Sequence, residues 1–149
     1  MVMSQREENK ERIVLSTDRT LIDLDFAYRY LHDNMYWAKK LTFDVFQRAV
    51  AHSAIVVGAH DSSKDGQLAG FARVISDRAT FAYLSDVFVV AEYRGQGLSK
   101  RMMELIVHHP ELQGLRRFAL VTEDAQGLYA KFGFEPLRDG ANWMQIYNG

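Results

Sequence analysis

Two glycines, Gly95 and Gly97, stand where the apolar run ending at Val89-Val90 gives way to a helical pattern. In that pattern Leu98, Met102, Leu105 and Ile106 share one face. Glycines at such a junction let the backbone turn tightly and leave amide N–H groups open to an incoming anion. The first turn of the helix adds more unpaired N–H groups and the positive end of its dipole. The chemistry is that of a phosphate or pyrophosphate cradle, with Arg94 and Lys100 or Arg101 adding charge locally. Spacing excludes the two commonest nucleotide loops. Only one residue separates the glycines and Ser99 precedes Lys100, so there is no P-loop. A dinucleotide fingerprint would need a further glycine where Lys100 stands. By themselves the two glycines are equally what a plain strand-to-helix turn requires.

A second motif lies downstream, from Thr122-Glu123-Asp124 through Tyr129-Ala130-Lys131-Phe132-Gly133-Phe134. Together the two motifs resemble the GNAT (Gcn5-related N-acetyltransferase) superfamily. That family's pyrophosphate loop reads Gln/Arg-x-x-Gly-x-Gly/Ala, and Arg94, Gly97 and Ser99 fall on its positions. Its later helix ends in Tyr-x-x-x-Gly-Phe, met here by Tyr129, Gly133 and Phe134. The match is firm over residues 81–136 and topological before that. The resemblance implies an α+β fold: a mixed, mostly antiparallel sheet flanked by helices, with its fourth and fifth strands splayed apart. Acetyl-CoA would lie in that opening, its pantetheine arm pairing with the backbone of Val87, Phe88 and Val89. Its pyrophosphate would sit on the backbone of Arg94, Gly95, Gln96, Gly97, Leu98 and Ser99. Two positions depart from the pattern. Ser99 stands where Gly or Ala is preferred, and serine is still small with a hydroxyl to offer. Thr122 stands where the family often has Asn, seven residues before the tyrosine. Asp124 either supplies the missing contact or, the reading preferred here, caps the helix that follows.

Acetyl transfer to a primary amine needs a neutral nucleophile, although a simple alkylamine of pKa ~10 is mostly protonated at neutral pH. It needs a donor for the oxyanion of the tetrahedral intermediate, for which a backbone N–H suffices. It also needs a proton for the departing thiolate. By family position Tyr129 is that acid; its alternative is a core residue beside Leu128 and Phe132. For the base, Asp86 interrupts an apolar strand, Phe81 to Ala91. Period-two alternation puts it on a face with Phe88 and Val90, opposite Ser85, Val87 and Val89. A carboxylate there is costly to bury unless paired or functional, so it is either a base or the partner of Arg73 or Arg78. Glu123 and a chain of waters are further candidates for the base. The histidines show no metal-ligand spacing; His108 and His109 suit a helix C-terminus, and no metal is expected. Tyr36 and Trp37, and likewise Trp143, either line the acceptor pocket or form a lid over the core.

These groups must be held by ordinary elements. A short strand over residues 12–16 precedes two helices, the first carrying Leu21, Leu24, Tyr28 and Leu31 with Asp23 or Asp25 as its cap, the second Phe43, Phe46 and Val50. Strands are expected over 54–59, 67–75, 80–90 and 117–121, a helix over 124–132 ended by Gly133, and closing strands at Phe134 and over 143–147. The chain has 149 residues, 48% apolar and 25% charged, with a net charge of −1. That predicts one domain over 11–149 after a mobile tail over 1–10. The neutral balance excludes a general nucleic-acid or anionic-membrane binder. No apolar run is long enough for a membrane span, and the start lacks a signal peptide's apolar core, so a cytoplasmic location is expected. There is no cysteine to carry a covalent acetyl group, so transfer would be direct attack in a ternary complex. The rival expectation is a non-catalytic acyl-CoA-binding or regulatory module on the same fold. Dimers are common among such domains, which allows a homodimer.

Overall fold

The computed structural model describes Ser4 and residues 12–149; apart from Ser4, the tail expected over 1–10 lies outside the described residues. Five strands form one sheet in the order β1 (Ile13–Ser16), β2 (Ile55–Asp61), β3 (Gln67–Ser76), β4 (Phe81–Val89) and β5 (Arg117–Ala119). The first four pair antiparallel with their sequence neighbours, because short turns join β2 to β3 and β3 to β4. β5 pairs parallel with β4. Parallel pairing needs a crossover, and the helix α3 (Leu98–Val107) supplies it. Ahead of β2 come α1 (Leu24–Asn34) and α2 (Phe43–Ala51). Asp23 caps α1 by accepting from the Phe26 N–H at 3.0 Å, and Thr42 caps α2.

Helices cover both faces of the sheet. On one, α1 and α2 bury Ala27, Leu31, Phe46 and Val50. Aromatic rings link the layers: Phe46 meets Phe71 at 5.9 Å between centroids, Phe71 stacks on Phe88 at 5.6 Å, and Phe88 stacks on Tyr30 of α1 at 4.6 Å. On the other face α3 buries Leu98, Met102, Met103 and Ile106. It packs closely enough that a Cβ on Gly70 would lie 3.3 Å from Met102 Sδ. A buried polar network joins the start of the chain to the end of β4. Asp61, fully buried, accepts hydrogen bonds from Ser63 N, Ser63 Oγ and, at 2.6 Å, Tyr93 Oη, with Arg12 at 3.4 Å.

Three expectations about elements need correction. No ladder forms at Phe134 or over 143–147 among the described residues. A run becomes a strand only by pairing its backbone, and the neighbouring sheet edge, β5, is three residues long. The segment is instead held through side chains: Arg117 of β5 lies over the Trp143 ring at 4.8 Å, while Met144 and Ile146 stay more than 90% exposed. The helix expected over 124–132 is the shorter α4 (Gln126–Ala130). Its N-cap residue is Ala125, with no side-chain cap: Thr122 Oγ1 accepts from the Ala125 N–H at 3.0 Å in the turn ahead of the helix, and Asp124 does not cap it. Gly133 ends it with φ +93°, and the Phe134 N–H reaches back to the Tyr129 carbonyl.

Candidate active site

β4 and β5 are paired only from Phe81↔Arg117 to Tyr83↔Ala119. Beyond that the two strands part, and β4 from Leu84 to Val89 faces the gap without a neighbour on that edge. The shape of this edge is set by a bulge. Arg73 pairs with Ser85 and Phe71 with Phe88, so two steps on β3 match three on β4. Asp86 lies in the extra stretch with φ +56°, in the left-handed region that Asp tolerates better than most residues. The bulge breaks the alternation expected for this strand. Ser85 shares the α1/α2 face with Phe88, whereas simple period-two counting puts the two on opposite faces. On that face Asp86 Oδ2 accepts from Arg73 Nε at 2.5 Å, with the carboxylate side chain only 6% exposed. Arg73 also reaches Ser53 Oγ and Ser85 Oγ, each at 3.4 Å. Of the two readings of Asp86, the ion pair with Arg73 is therefore present in the structure.

The glycine turn follows β4 directly. Gly95 and Gly97 have φ +77° and +76°, which favour glycine, and a Cβ at either would meet nothing within 4 Å. They are therefore required for conformation, and their surroundings are open. Gly97 is the N-cap of α3, with no side-chain cap and no acidic residue in the first turn. The first intrahelical bond of that turn is Arg101 N–H to the Gly97 carbonyl, at 3.2 Å. The N–H groups of Leu98, Ser99 and Lys100 precede it, so the helix begins as an open anion cradle. Gln96 Oε1 is buried without a hydrogen-bond partner among the described residues. Arg94 does not point over the turn. Its Nε donates to the Val89 carbonyl at 3.2 Å and its Nη2 to Tyr30 Oη at 3.3 Å. Tyr30 Oη donates to the same carbonyl at 3.3 Å. Tyr30 thus joins the site through Val89 and Phe88, a role absent from the sequence reading. Its spacing from Phe26, on whose ring it stacks at 6.3 Å, is the signal that could have revealed a second helical stripe.

Tyr129, on α4, approaches from the β5 side. Its ring packs edge-on against Phe134, which in turn packs on Phe118 of β5. The residue is 9% exposed, and its hydroxyl makes no hydrogen bond with another described residue. Burial, with a smaller contribution from the Asp124 charge, pushes the phenol above its ordinary value of 10. It therefore stays protonated through neutral pH.

The turn between α1 and α2 reaches the segment that follows β5. Tyr36 and Trp37 occupy a short 3-10 turn, Tyr36–Ala38, and are 69% and 50% exposed. Tyr36 Oη donates to Glu123 Oε1, joining this turn to the segment between β5 and α4. That bond, the charge of Glu123 and the nearby Tyr147 phenol all push the Tyr36 phenol above its ordinary value of 10. Trp143 lies beneath Arg117. Among the described residues no three His, Asp or Glu side chains converge as metal ligands.

The profile of the acetyltransferase (GNAT) family matches residues 20–134. The crystal structure of xcc2953, a protein assigned to the GNAT family from Xanthomonas campestris pv. campestris, superposes with a TM-score of 0.86 at 47% identity, covering 91% of this chain and 93% of that one. The protein FG08082 of Gibberella zeae, which bears an acetyltransferase name, is 31% identical over 89% of this chain and 86% of its own. The protein ycf52 of Porphyra purpurea, named as an N-acetyltransferase, is 31% identical over 82% of this chain and 71% of its own.

Proposed function

From the premise that this chain belongs to the acetyltransferase (GNAT) family, we propose that it transfers the acetyl group of acetyl-CoA to a primary amine, by direct attack within a ternary complex. One observation carries the reading: the edge of β4 is free beyond Tyr83 and leads straight into an uncapped glycine turn at the start of α3. A long ligand with an apolar amide arm and a pyrophosphate matches such a strip. The arm would pair with Val87, Phe88 and Val89. The pyrophosphate would take the N–H groups of the Arg94–Ser99 stretch, where the open space at Gly95 and Gly97 admits close approach. Bound there, acetyl-CoA supplies an activated acyl group on a good leaving thiolate.

The protein's own residues would do the rest, apart from taking the proton that the attacking nitrogen loses, which passes to a chain of waters. A backbone N–H on the free edge of β4 faces the developing oxyanion and needs no reorganisation to do so. Tyr129 holds the proton that the departing sulfur requires, and its raised pKa keeps that proton in place until sulfur gains charge. To Asp86 we assign the holding of the bulge, because its carboxylate is already engaged by Arg73. With no cysteine in the chain, no acyl-thioenzyme intermediate is available.

Melting curves with and without acetyl-CoA test the reading. Ligand at about a hundred times its Kd stabilises by about 2.7 kcal/mol, which raises the Tm of a domain of this size by roughly 5–10 °C. Thiol release on adding amines then separates an enzyme from a binding module. An unchanged Tm at millimolar acetyl-CoA would sink the proposal.

A further inference from the structure

Among the described residues, the hydrogen bond between Tyr36 and Glu123 joins two segments 87 residues apart, the α1–α2 turn and the loop after β5. The second of these follows β5 on its side of the gap, and the bond brings the α1–α2 turn to it. Neither partner is buried: Tyr36 is 69% exposed and Glu123 is also exposed. An exposed tyrosine–carboxylate bond contributes little to stability, because water serves both groups nearly as well. What it does place is an exposed carboxylate at the hydroxyl end of an exposed aromatic ring, with Trp37 in the same turn and the Tyr147 phenol close by. Carboxylate and aromatic rings together form an environment for an organic cation. Among the described residues no lysine or arginine forms an ion pair with Glu123. Lys39 donates to the carbonyls of His32 and Asp33 at 2.9 and 3.0 Å, and Arg117 lies over Trp143.

We propose that Glu123, framed by Tyr36, recognises a positive charge on the acceptor other than its reacting nitrogen. The acceptor is then a cationic aliphatic amine, such as a diamine or a lysine side chain in a basic setting, and not an amine bearing a carboxylate or phosphate. The inference rests on the acetyl-transfer reading above and adds the acceptor class. The Tyr36 hydroxyl occupies Glu123 when no acceptor is present and yields to the ammonium group.

The test is a set of initial rates at saturating acetyl-CoA. The amines are 1,4-diaminobutane, a basic lysine peptide, butylamine, an amino acid and an amino-sugar phosphate. The wild-type protein should prefer the diamine or the lysine peptide to butylamine by at least tenfold in kcat/KM, and should disfavour both anionic amines. The small diamine and the peptide separate a free metabolite from a protein side chain as the source of that charge. Glu123→Gln, which keeps size and hydrogen bonding, should collapse the preference through KM while the acetyl-CoA melting shift is retained. Tyr36→Phe should lower KM for the cationic amine, a gain that a merely structural tyrosine would not give. Equal use of anionic and cationic amines, or a preference untouched by Glu123→Gln, would overturn the acceptor site and leave acetyl transfer standing. Failure to turn over any of the amines would overturn both.

Discussion

At the scale of single residues, the site divides into side chains that are free to react and side chains that are spent. Tyr129 is of the first kind: its ring is fixed by Phe134, but its hydroxyl has no described hydrogen-bonding partner. Tyr129→Phe removes one O–H and almost no volume. Acid catalysis by a positioned group contributes roughly 10²–10⁴-fold, so kcat should fall within that range when chemistry limits the rate. Acetyl-CoA binding and Tm should change little, since no native hydrogen bond is lost. A variant with unaltered kcat would pass the proton to water or a backbone donor. Asp86 is of the second kind. A lone carboxylate in an apolar strand reads from sequence as either a base or half of an ion pair, and both readings were open. What settles its placement is a bulge, which no spacing rule reveals because the strand is continuous in its apolar pattern on both sides. Tyr36 and Glu123 show the same limit: each stands out as polar or aromatic in a loop, yet nothing in the sequence pairs them.

At the scale of elements, the decisive unit is strand, glycine turn and helix in immediate succession. The open space around Gly97 means that a Cβ there would meet nothing within 4 Å, although it would carry the cost of a positive φ. Gly97→Glu should therefore still fold, with a loss of about 1–2 kcal/mol of stability in urea unfolding from the strained backbone. Its carboxylate would project where the pyrophosphate must approach, and acetyl-CoA affinity should fall at least tenfold by titration calorimetry. Wild-type affinity in the folded variant would place the anion elsewhere. This unit was legible because all of its signals are local: apolar run, glycines, helical stripe. The helices, the first four strands and the cap at Asp23 were legible for the same reason. The closing strands were not. Whether residues 143–147 join a sheet depends on an edge contributed by a distant element, and β5 offers only three residues. The uncapped start of α4 was not legible because Asp124 is a favoured type for that place, and only the backbone path decides whether its side chain faces the open N–H groups.

At the scale of the whole molecule, the network around Asp61 fastens the chain's entry, the β2–β3 turn and the end of β4 to one another. Burial pushes the Asp61 carboxyl up, but the hydrogen bonds from Ser63 and Tyr93 and the charge of Arg12 outweigh it, so its pKa lies below the ordinary 3.8. A depressed carboxyl stabilises the fold above its unfolded pKa, and that stability is lost as pH falls through the folded value. Urea midpoints should therefore hold steady down to pH about 4 and then drop, and Asp61→Asn should flatten that drop while weakening the protein at neutral pH. An acid profile unchanged in Asp61→Asn would assign the loss to other carboxylates. Because Tyr93 stands next to Arg94, this anchor also fixes where the glycine turn begins. The parting of β4 from β5 gives one strand two unlike margins. Along β3 its amides are locked in a ladder at the centre of the sheet; toward the gap they have only solvent or a guest. Amide hydrogen exchange should therefore run in two classes within Leu84–Val89, the outward class fast, the inward class slow. Acetyl-CoA should close the fast class selectively, so that deuterium uptake along Leu84–Val89 maps the ligand's path without any label on the ligand itself.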